Sequence, residues 1–243
     1  MSESDSRSTS RRTFLTSTAA MALAATPPIA AGANEKSPIA NARAFAPQHE
    51  LKPLPFDASK LAGLSAKLIE SHWSNNYGGS VRALNVVKAK LAEALGMPDT
   101  PPFLFNGLKR EHLMRTGSVI LHELYFGNLG GNGRPDAAAL KVIGADFGGF
   151  DVWEEEFRRT SKGLGGGSGW VVLAYNHAFG VLENFWMADH MHHPAGSEPL
   201  LVIDMYEHSY QMDYGAAADK YVDAFFENVN WEVVLERYER AAG

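Results

Sequence analysis

The sequence predicts an α+β fold, in which an N-terminal antiparallel helical hairpin precedes an α+β domain with a three-stranded antiparallel sheet. Two long stretches, 59–95 and 109–129, carry apolar residues at helical spacing. The glycine-rich loop at 130–135 ends the second stretch, so the two helices are expected to pair as a hairpin. Three short β-prone runs follow, separated by turn residues: 170–175, 181–186 and 200–203.

The remaining elements follow from the same patterns. In the first helix, Gly78 and Gly79 interrupt the apolar spacing and are expected to bend it. Four more helices are predicted in the second half of the chain: 136–144, 150–161, 216–228 and 231–242. Helices placed before and after a block of short strands are typical of the α+β class.

The first 33 residues have the organisation of a twin-arginine export signal. Arg11 and Arg12 precede an uncharged, moderately apolar stretch at 18–31, and the small residues at 31–33 offer a cleavage site. A disordered tail or a membrane anchor is the alternative, but two consecutive prolines interrupt the stretch, which is short for a membrane span. We therefore expect a periplasmic or otherwise exported protein.

The rest of the chain divides into three predicted segments. Residues 34–50 resemble a linker, because they are rich in alanine, asparagine and proline and lack an apolar period. The helical hairpin domain is expected at 51–132 and the α+β metal-binding domain at 133–243.

The composition excludes several classes of protein. The chain contains no cysteine, which rules out disulfides, thiolate metal sites and cysteine nucleophiles. Its formal net charge of −6 provides no argument for nucleic-acid binding. The glycine-rich segment 163–169 precedes a predicted strand instead of joining a strand to a helix, so it does not indicate dinucleotide binding.

Four residues are candidates for a metal site: His72, His122, Asp204 and His208. Three imidazoles and one carboxylate make a nitrogen and oxygen donor set that suits redox-active iron or manganese. Asp204 ends an apolar run, and a buried carboxylate requires a partner. Metal ligation or a set of hydrogen bonds would both satisfy it, and each histidine alone could be a core or surface residue.

Six short motifs add a resemblance that covers nearly everything from Glu50 onward. They are L-K-P-L-P-F at 51–56, L-H-E-L-Y-F-G-N-L at 121–129, D-F-G-G-F at 146–150, G-S-G-W at 167–170, D-M-Y-E-H-S-Y at 204–210 and V-N-W at 229–231. In this order they resemble the iron/manganese superoxide dismutase family. The resemblance implies the same fold, with one Fe or Mn ion per subunit held by the four candidate ligands.

The resemblance also implies a reaction and a set of residues around the metal. Two superoxide ions would be converted to dioxygen and hydrogen peroxide with uptake of two protons. The family places a glutamine or histidine beside the metal, and Ser118 stands where the iron-type enzymes have that glutamine. His190, in the segment 188–190, then becomes the expected outer residue, with His192 or His193 as alternatives. A solvated histidine-rich turn is the other interpretation.

The chain departs from the family at the predicted substrate funnel. Asn76 replaces the usual histidine, Ser80 replaces the gateway tyrosine, and Gln211 replaces a frequent tyrosine, while Tyr206 stands where tryptophan is common. On an α-helix, His72, Asn76 and Ser80 share a face and Tyr77 lies one residue off it. Asn76, Ser80 and Tyr77 are therefore the expected catalytic positions, with His190. Serine and asparagine do not titrate near neutral pH, so proton delivery would differ.

These departures leave alternative functions open. A member of the fold that binds metal but has non-dismutase redox activity is the main alternative, and a structural metal-binding protein is another. Iron is the expected metal, with manganese as the alternative. Glu207 is retained, and in the family it reaches the ligand histidine of the second subunit, so the resemblance implies a homodimer through Glu207 and His208. Neither nucleic acid nor, after removal of the signal, a membrane is expected as a partner.

Overall fold

A computed structural model describes Ile39 and residues 42–243 of the chain. The predicted export signal and part of the linker lie outside the described residues. The described residues fall in one compact unit, and the predicted domain boundary near residue 133 stays a prediction. Within this part of the chain, no helix is both long and apolar enough to cross a membrane.

The first arm of the hairpin consists of three consecutive segments: α1 (Ala66–Ser71), a π-helical segment (His72–Tyr77) and α2 (Gly78–Leu95). Ser65 caps its start, because the serine hydroxyl accepts a hydrogen bond from Leu68 N at 3.1 Å. The helix begins later than the predicted residue 59. Ala58–Lys60 form only a 3-10 turn, and Gly63 has a φ of 70°, which a continuous helix does not allow.

The π-helical segment changes which residues share a face. A π-helix pairs residues five apart, whereas the predicted row of His72, Asn76 and Ser80 assumed α-helical spacing. Tyr77 is consequently buried, with its ring stacked against His122 at 6.3 Å between centroids. Asn76 is only partly buried. The expectation that Tyr77 lies off the ligand face is wrong for this reason.

The second arm of the hairpin is α3 (Pro102–Gly127), which begins before the predicted residue 109. Proline is tolerated in the first turn of a helix, because the N–H that it lacks would be unpaired there. α3 packs along α2, and the irregular loop at 130–135 follows as predicted. The hairpin therefore brings His72, near the start of the first arm, beside His122, near the end of the second, with 5.0 Å between ring centroids.

Three strands form the sheet: β1 (Trp170–Asn176), β2 (Val181–Met187) and β3 (Ser197–Asp204). The sheet is antiparallel with the order β2-β1-β3, which confirms the predicted fold class. Trp170 pairs with Met187 on one side and with Asp204 on the other. The last residues of β3 are fully buried, so the sheet carries Asp204 into the protein interior.

Five helices complete the described chain: α4 (Ala137–Phe147), α5 (Phe150–Gly163), α6 (Gln211–Tyr214), α7 (Ala218–Glu227) and α8 (Trp231–Ala242). Asp136 caps α4 through a hydrogen bond from Ala139 N at 2.8 Å, and Gly148 ends it with a φ of 78°. All four predicted helices form: α8 has the predicted ends, and the ends of the other three are slightly shifted. The short α6 was not predicted.

A buried arginine joins the hairpin to the sheet. Arg237 on α8 donates to Asn128 Oδ1 at 2.6 Å and to Leu200 O at 2.7 Å. Asn128, which follows α3, in turn donates through its amide nitrogen to Val202 O at 2.6 Å. These bonds satisfy buried polar groups that would otherwise destabilise the fold. They also fix α3 against β3, the two elements that carry His122 and Asp204.

Candidate metal centre

Three separate parts of the chain bring four polar side chains into one cluster. His72 comes from the π-helical segment, His122 from α3, Asp204 from the end of β3 and His208 from the turn after it. One possible ligand atom from each residue lies within 4.8 Å of the others. The first three side chains are buried, whereas that of His208 is 27% exposed. These are the four residues that the sequence predicted as ligands, and together they could hold a metal ion.

Hydrogen bonds orient Asp204 so that one carboxylate oxygen faces the imidazoles. Its Oδ1 accepts from Tyr206 N at 2.9 Å. Its carbonyl oxygen accepts from the hydroxyls of Ser209 and Tyr221, each at 2.8 Å. Its Oδ2 lies at these distances from the Nε2 atoms of the three histidines: 3.1 Å for His72, 3.2 Å for His208 and 3.6 Å for His122. The carboxylate oxygen is therefore central to the cluster.

Burial and contacts within the cluster shift the pKa values of His122, His72 and Asp204. It is the main cause that lowers the pKa of His122 to about 3, and it also lowers the pKa of His72. Burial alone would raise the pKa of Asp204, but the charge of His208 and contacts from His208 and His72 hold it below its usual range. Neutral imidazoles and an ionised carboxylate are the forms that bind metal.

The unpaired atoms of the cluster fit a metal ion. Within the described chain, both ring nitrogens of His72 and Nε2 of His122 are buried without a hydrogen-bond partner. Each such atom costs about 1–3 kcal/mol if nothing satisfies it. His122 Nδ1 donates to Ser118 O at 2.7 Å, which leaves the Nε2 lone pair directed to the cluster. The set of three nitrogens and one oxygen suits iron or manganese.

His190 is the histidine of the turn after β2 that reaches the cluster. Its ring centroid lies 6.0 Å from that of His122. Its Nδ1 accepts a hydrogen bond from Trp170 Nε1 at 2.9 Å, and Tyr206 stacks on its face at 4.9 Å between centroids. Burial is the main cause that lowers its pKa. The other two histidines of the turn, on which the sequence left the choice open, are exposed.

Two buried serines lie where the family resemblance places larger polar side chains. The Oγ atoms of Ser80 and Ser118 are 2.8 Å apart, and Ser118 Oγ lies 3.3 Å from His122 Nδ1. Ser80 therefore contacts the cluster through Ser118 and not directly. Because neither hydroxyl titrates near neutral pH, this pair can pass or hold a hydrogen bond but cannot supply a charge.

Tyr77, one of the expected catalytic positions, makes contacts that the sequence did not predict. Its hydroxyl donates to Glu123 Oε1 at 2.9 Å and accepts from Lys52 N at 3.1 Å. Burial is the main cause that raises its pKa to about 12, opposed by the bond from Lys52 and reinforced by Glu123. Lys52 Nζ also pairs with Glu123. The tyrosine is therefore held as a neutral phenol in a network that extends from the cluster to the surface.

Two other predicted positions lie farther out. Asn76 makes no side-chain hydrogen bond to another described residue, and Gln211 is exposed at the start of α6. Among the described residues, no side-chain hydrogen bond joins either of them to the four candidate ligands.

Sequence reasoning missed three supporting residues. Glu123 holds Tyr77, and Tyr221 holds the Asp204 carbonyl while its hydroxyl lies 3.1 Å from that of Tyr125. Glu123 directly follows a candidate ligand, which is the one sequence signal that could have found it. Tyr125 also lies in the motif at 121–129, but nothing in the sequence marks the role of either tyrosine, since aromatic residues at helical spacing are ordinary core residues.

Comparison with known proteins places these observations in a family. A family model described as iron/manganese superoxide dismutases, C-terminal domain, matches residues 135–237. The chain is 52% identical over 193 residues to the superoxide dismutase (Fe) of Cupriavidus metallidurans, an alignment that covers 79% of this chain and 98% of that protein.

The names of two less similar relatives specify iron in one case and manganese in the other. The chain is 36% identical over 202 residues to the superoxide dismutase (Fe) of Aquifex pyrophilus, covering 80% of this chain and 91% of that protein. It is 32% identical over 209 residues to superoxide dismutase (Mn) 1 of Halobacterium salinarum, covering 80% and 97% respectively. The similarity therefore extends across nearly the whole length of each relative.

Proposed function

The chain belongs to the iron/manganese superoxide dismutase family, and we propose that it is an exported dismutase in which His72, His122, Asp204 and His208 hold one metal ion. It converts superoxide to dioxygen and hydrogen peroxide. The observation that carries the ligand assignment is the cluster of three imidazoles and one carboxylate, in which the facing nitrogens of His72 and His122 are buried without a hydrogen-bond partner. A cluster of this composition is costly to bury without a cation.

When bound by these residues, an iron or manganese ion would supply the redox chemistry that transfers an electron between two superoxide ions. The protein's part is to fix the donors and control protons. Asp204 is oriented by hydrogen bonds from Tyr206 N and from two hydroxyls, and the Ser118 carbonyl fixes the tautomer of His122. Donors held in this way need little rearrangement during turnover.

His190 is proposed as the hydrogen-bond donor of the site. Trp170 Nε1 has one hydrogen and donates it to His190 Nδ1, so the neutral His190 ring carries its own proton on Nε2. This N–H can donate to a small oxygen ligand, as the amide of glutamine does in the resembling enzymes. Ser80 and Tyr77 are proposed to support proton delivery through their hydroxyls, and Asn76 to act only through water.

Iron is the proposed metal. The donor set suits both ions. The relative that is 52% identical is named as an iron enzyme, whereas the halobacterial manganese enzyme is 32% identical. Metal analysis of protein produced in medium that contains both ions tests this choice, and a predominance of manganese would contradict it.

A combined measurement of metal content and superoxide consumption tests the function. We expect about one iron ion per subunit and superoxide consumption that disappears after chelation and returns after reloading. A full metal complement without superoxide consumption would refute the dismutase proposal. That result would favour the alternative of another redox activity. The observation that supports this alternative is that Ser80 and Asn76 stand where the family has its gateway and relay residues.

Export is proposed from the twin-arginine pattern at Arg11 and Arg12 and the small residues at 31–33. We expect the protein in the periplasmic fraction of a bacterial host, with a mature N-terminus close to residue 34. Mass spectrometry of the fractionated protein measures both. Full-length protein confined to the cytoplasm would contradict the proposal.

A homodimer is proposed through the turn that contains Glu207 and His208. Glu207 is exposed beside the partly exposed His208, and a two-fold axis would place Glu207 of one copy against His208 of the other. Because each dimer would contain two charge-assisted hydrogen bonds, Glu207→Ala is expected to weaken dimerisation by roughly 100-fold. Sedimentation velocity measures this.

The exposed glutamate Glu239 on α8 provides the matched control for the dimer experiment. Glu239→Ala removes the same charge from a different surface and should leave the dissociation constant unchanged. A wild-type protein that is monomeric at all measured concentrations, or a Glu207→Ala variant that dimerises as well as wild type, would contradict the proposal.

A further inference from the structure

We propose that Gly117 is a positioning residue for His190, because it alone lets the turn after β2 approach α3 closely enough to place the His190 ring beside His122. This inference rests on the proposed function, in which His190 is the hydrogen-bond donor of the site. A Cβ atom built on Gly117 would lie 1.9 Å from His190 O and 3.0 Å from His190 C. Separations below 3.0 Å are essentially never seen for real Cβ atoms.

The backbone of α3 does not itself require glycine at this position. Gly117 is not among the glycines with positive φ, and glycine inside a helix costs roughly 0.5–1 kcal/mol relative to alanine. The close approach of the turn is therefore the feature that explains it. The obstacle is a backbone carbonyl, which cannot rotate away as the end of a long side chain can.

The other two glycines of α3 differ from Gly117. A Cβ on Gly107 would meet nothing within 4 Å. A Cβ on Gly127 would approach Arg237 Nη2 at 2.6 Å, which is the far end of a flexible side chain. Among these three positions, only Gly117 faces rigid backbone.

The ring of His190 has little freedom to compensate for a displaced backbone. Trp170 is fully buried in β1 and donates to His190 Nδ1 at 2.9 Å. Tyr206 stacks on the ring with an interplanar angle of 14°. To raise the contact from 1.9 Å to 3.0 Å, the turn must move by about 1 Å. A shift of that size would stretch the Trp170 bond beyond hydrogen-bonding distance.

One turn of α3 thus supports two parts of the site. Gly117 admits the His190 backbone, and the adjacent Ser118 carbonyl accepts from His122 Nδ1. A single helical segment consequently fixes the distance between the proposed ligand His122 and the proposed donor His190. A hydrogen-bond donor can act on a bound group only if it is held within a fraction of an ångström of the required position.

Gly117→Ala tests this inference, with Gly107→Ala as the matched control on the same helix. The readout is the ¹H–¹⁵N spectrum of the metal-free full chain, in which the Trp170 indole N–H is assigned from Trp170→Phe. We expect Gly117→Ala to move this resonance upfield and to speed its exchange with solvent at least about tenfold, because the bond to His190 is lost. Gly107→Ala should leave it in place.

The indole groups of Trp73, Trp153 and Trp231 serve as internal controls, since each donates to a different partner. In the metal-loaded enzyme, Gly117→Ala should retain metal and lose about tenfold in kcat. In a His190→Ala background the same substitution should cause no further loss. An unshifted Trp170 resonance in folded Gly117→Ala protein, or additive losses in kcat, would overturn the proposal.

A second variant covers failure of Gly117→Ala to fold. Asp189 Oδ1 accepts from Met191 N at 2.7 Å and so holds the turn, and Asp189→Gly loosens it. The Trp170 resonance of the double variant, Gly117→Ala with Asp189→Gly, is then compared with that of Asp189→Gly alone. If the two resonances coincide, the inference is refuted. This spectrum is independent of dismutation, so inactive wild-type protein would refute the proposed function without deciding the role of Gly117.

Discussion

His122→Ala is expected to reduce bound metal to less than about one tenth of an ion per subunit and to abolish superoxide consumption. The substitution removes one of four donors from a buried site, and loss of a residue that only supports a ligand already costs 10–100-fold in metal affinity. His122 is suited to the role because burial keeps it neutral and its Nδ1 is occupied by Ser118 O. Metal analysis of protein purified under identical loading measures the effect.

The thermal stability of the same variant provides a second readout. A metal at 100 times its dissociation constant stabilises a folded protein by about 2.7 kcal/mol. Added metal should therefore raise the Tm of wild type but not that of His122→Ala. His177→Ala is the control, since His177 lies near the surface with 47% of its side chain exposed. Full metal retention by His122→Ala would refute the ligand assignment.

His190→Ala is expected to retain the metal but lose about 10–100-fold in kcat, the range observed when a residue around a metal site is removed. The ring lies 6.0 Å from His122 between centroids and is fixed by Trp170. It is thus close enough to donate a hydrogen bond to a bound group without being a ligand itself. Steady-state assays, normalised to metal content, measure the loss.

The same turn supplies two matched controls, His192→Ala and His193→Ala. Both side chains are exposed, and His192 pairs only with Asp189 at 3.0 Å. Neither variant should change kcat or metal content. Equal activity in His190→Ala and wild type would refute the proposed role and favour the interpretation of a solvated histidine-rich turn.

Local sequence patterns were sufficient to predict most of the fold. The three strands and their antiparallel pairing follow from short β-prone runs between turns, and the helices at 136–144 and 231–242 follow from apolar spacing. The errors lie at helix ends. The first helix begins at a serine cap and the second at a proline, because capping and the geometry of the first turn decide ends that apolar spacing does not define.

The candidate site was less predictable than the fold. Ordered motifs identified the four proposed ligands, but the π-helical segment could not be predicted. A change from four-residue to five-residue backbone hydrogen bonding does not alter the spacing of apolar residues in the sequence. Tyr77 was therefore assigned to the wrong face. Gly117 had no signal either, because its importance depends on a turn 73 positions away in sequence.

By itself, the sequence determined the chemistry available to this protein. The absence of cysteine, the order of the motifs and the four nitrogen and oxygen donors limited it to an iron or manganese dismutase fold. Only the tertiary structure decided which of three neighbouring histidines approaches the site and which hydroxyls line it. The physical reason is that residue types fix what a group can donate or accept, whereas its distance and burial arise from long-range packing of α3 against the sheet and the turn after β2.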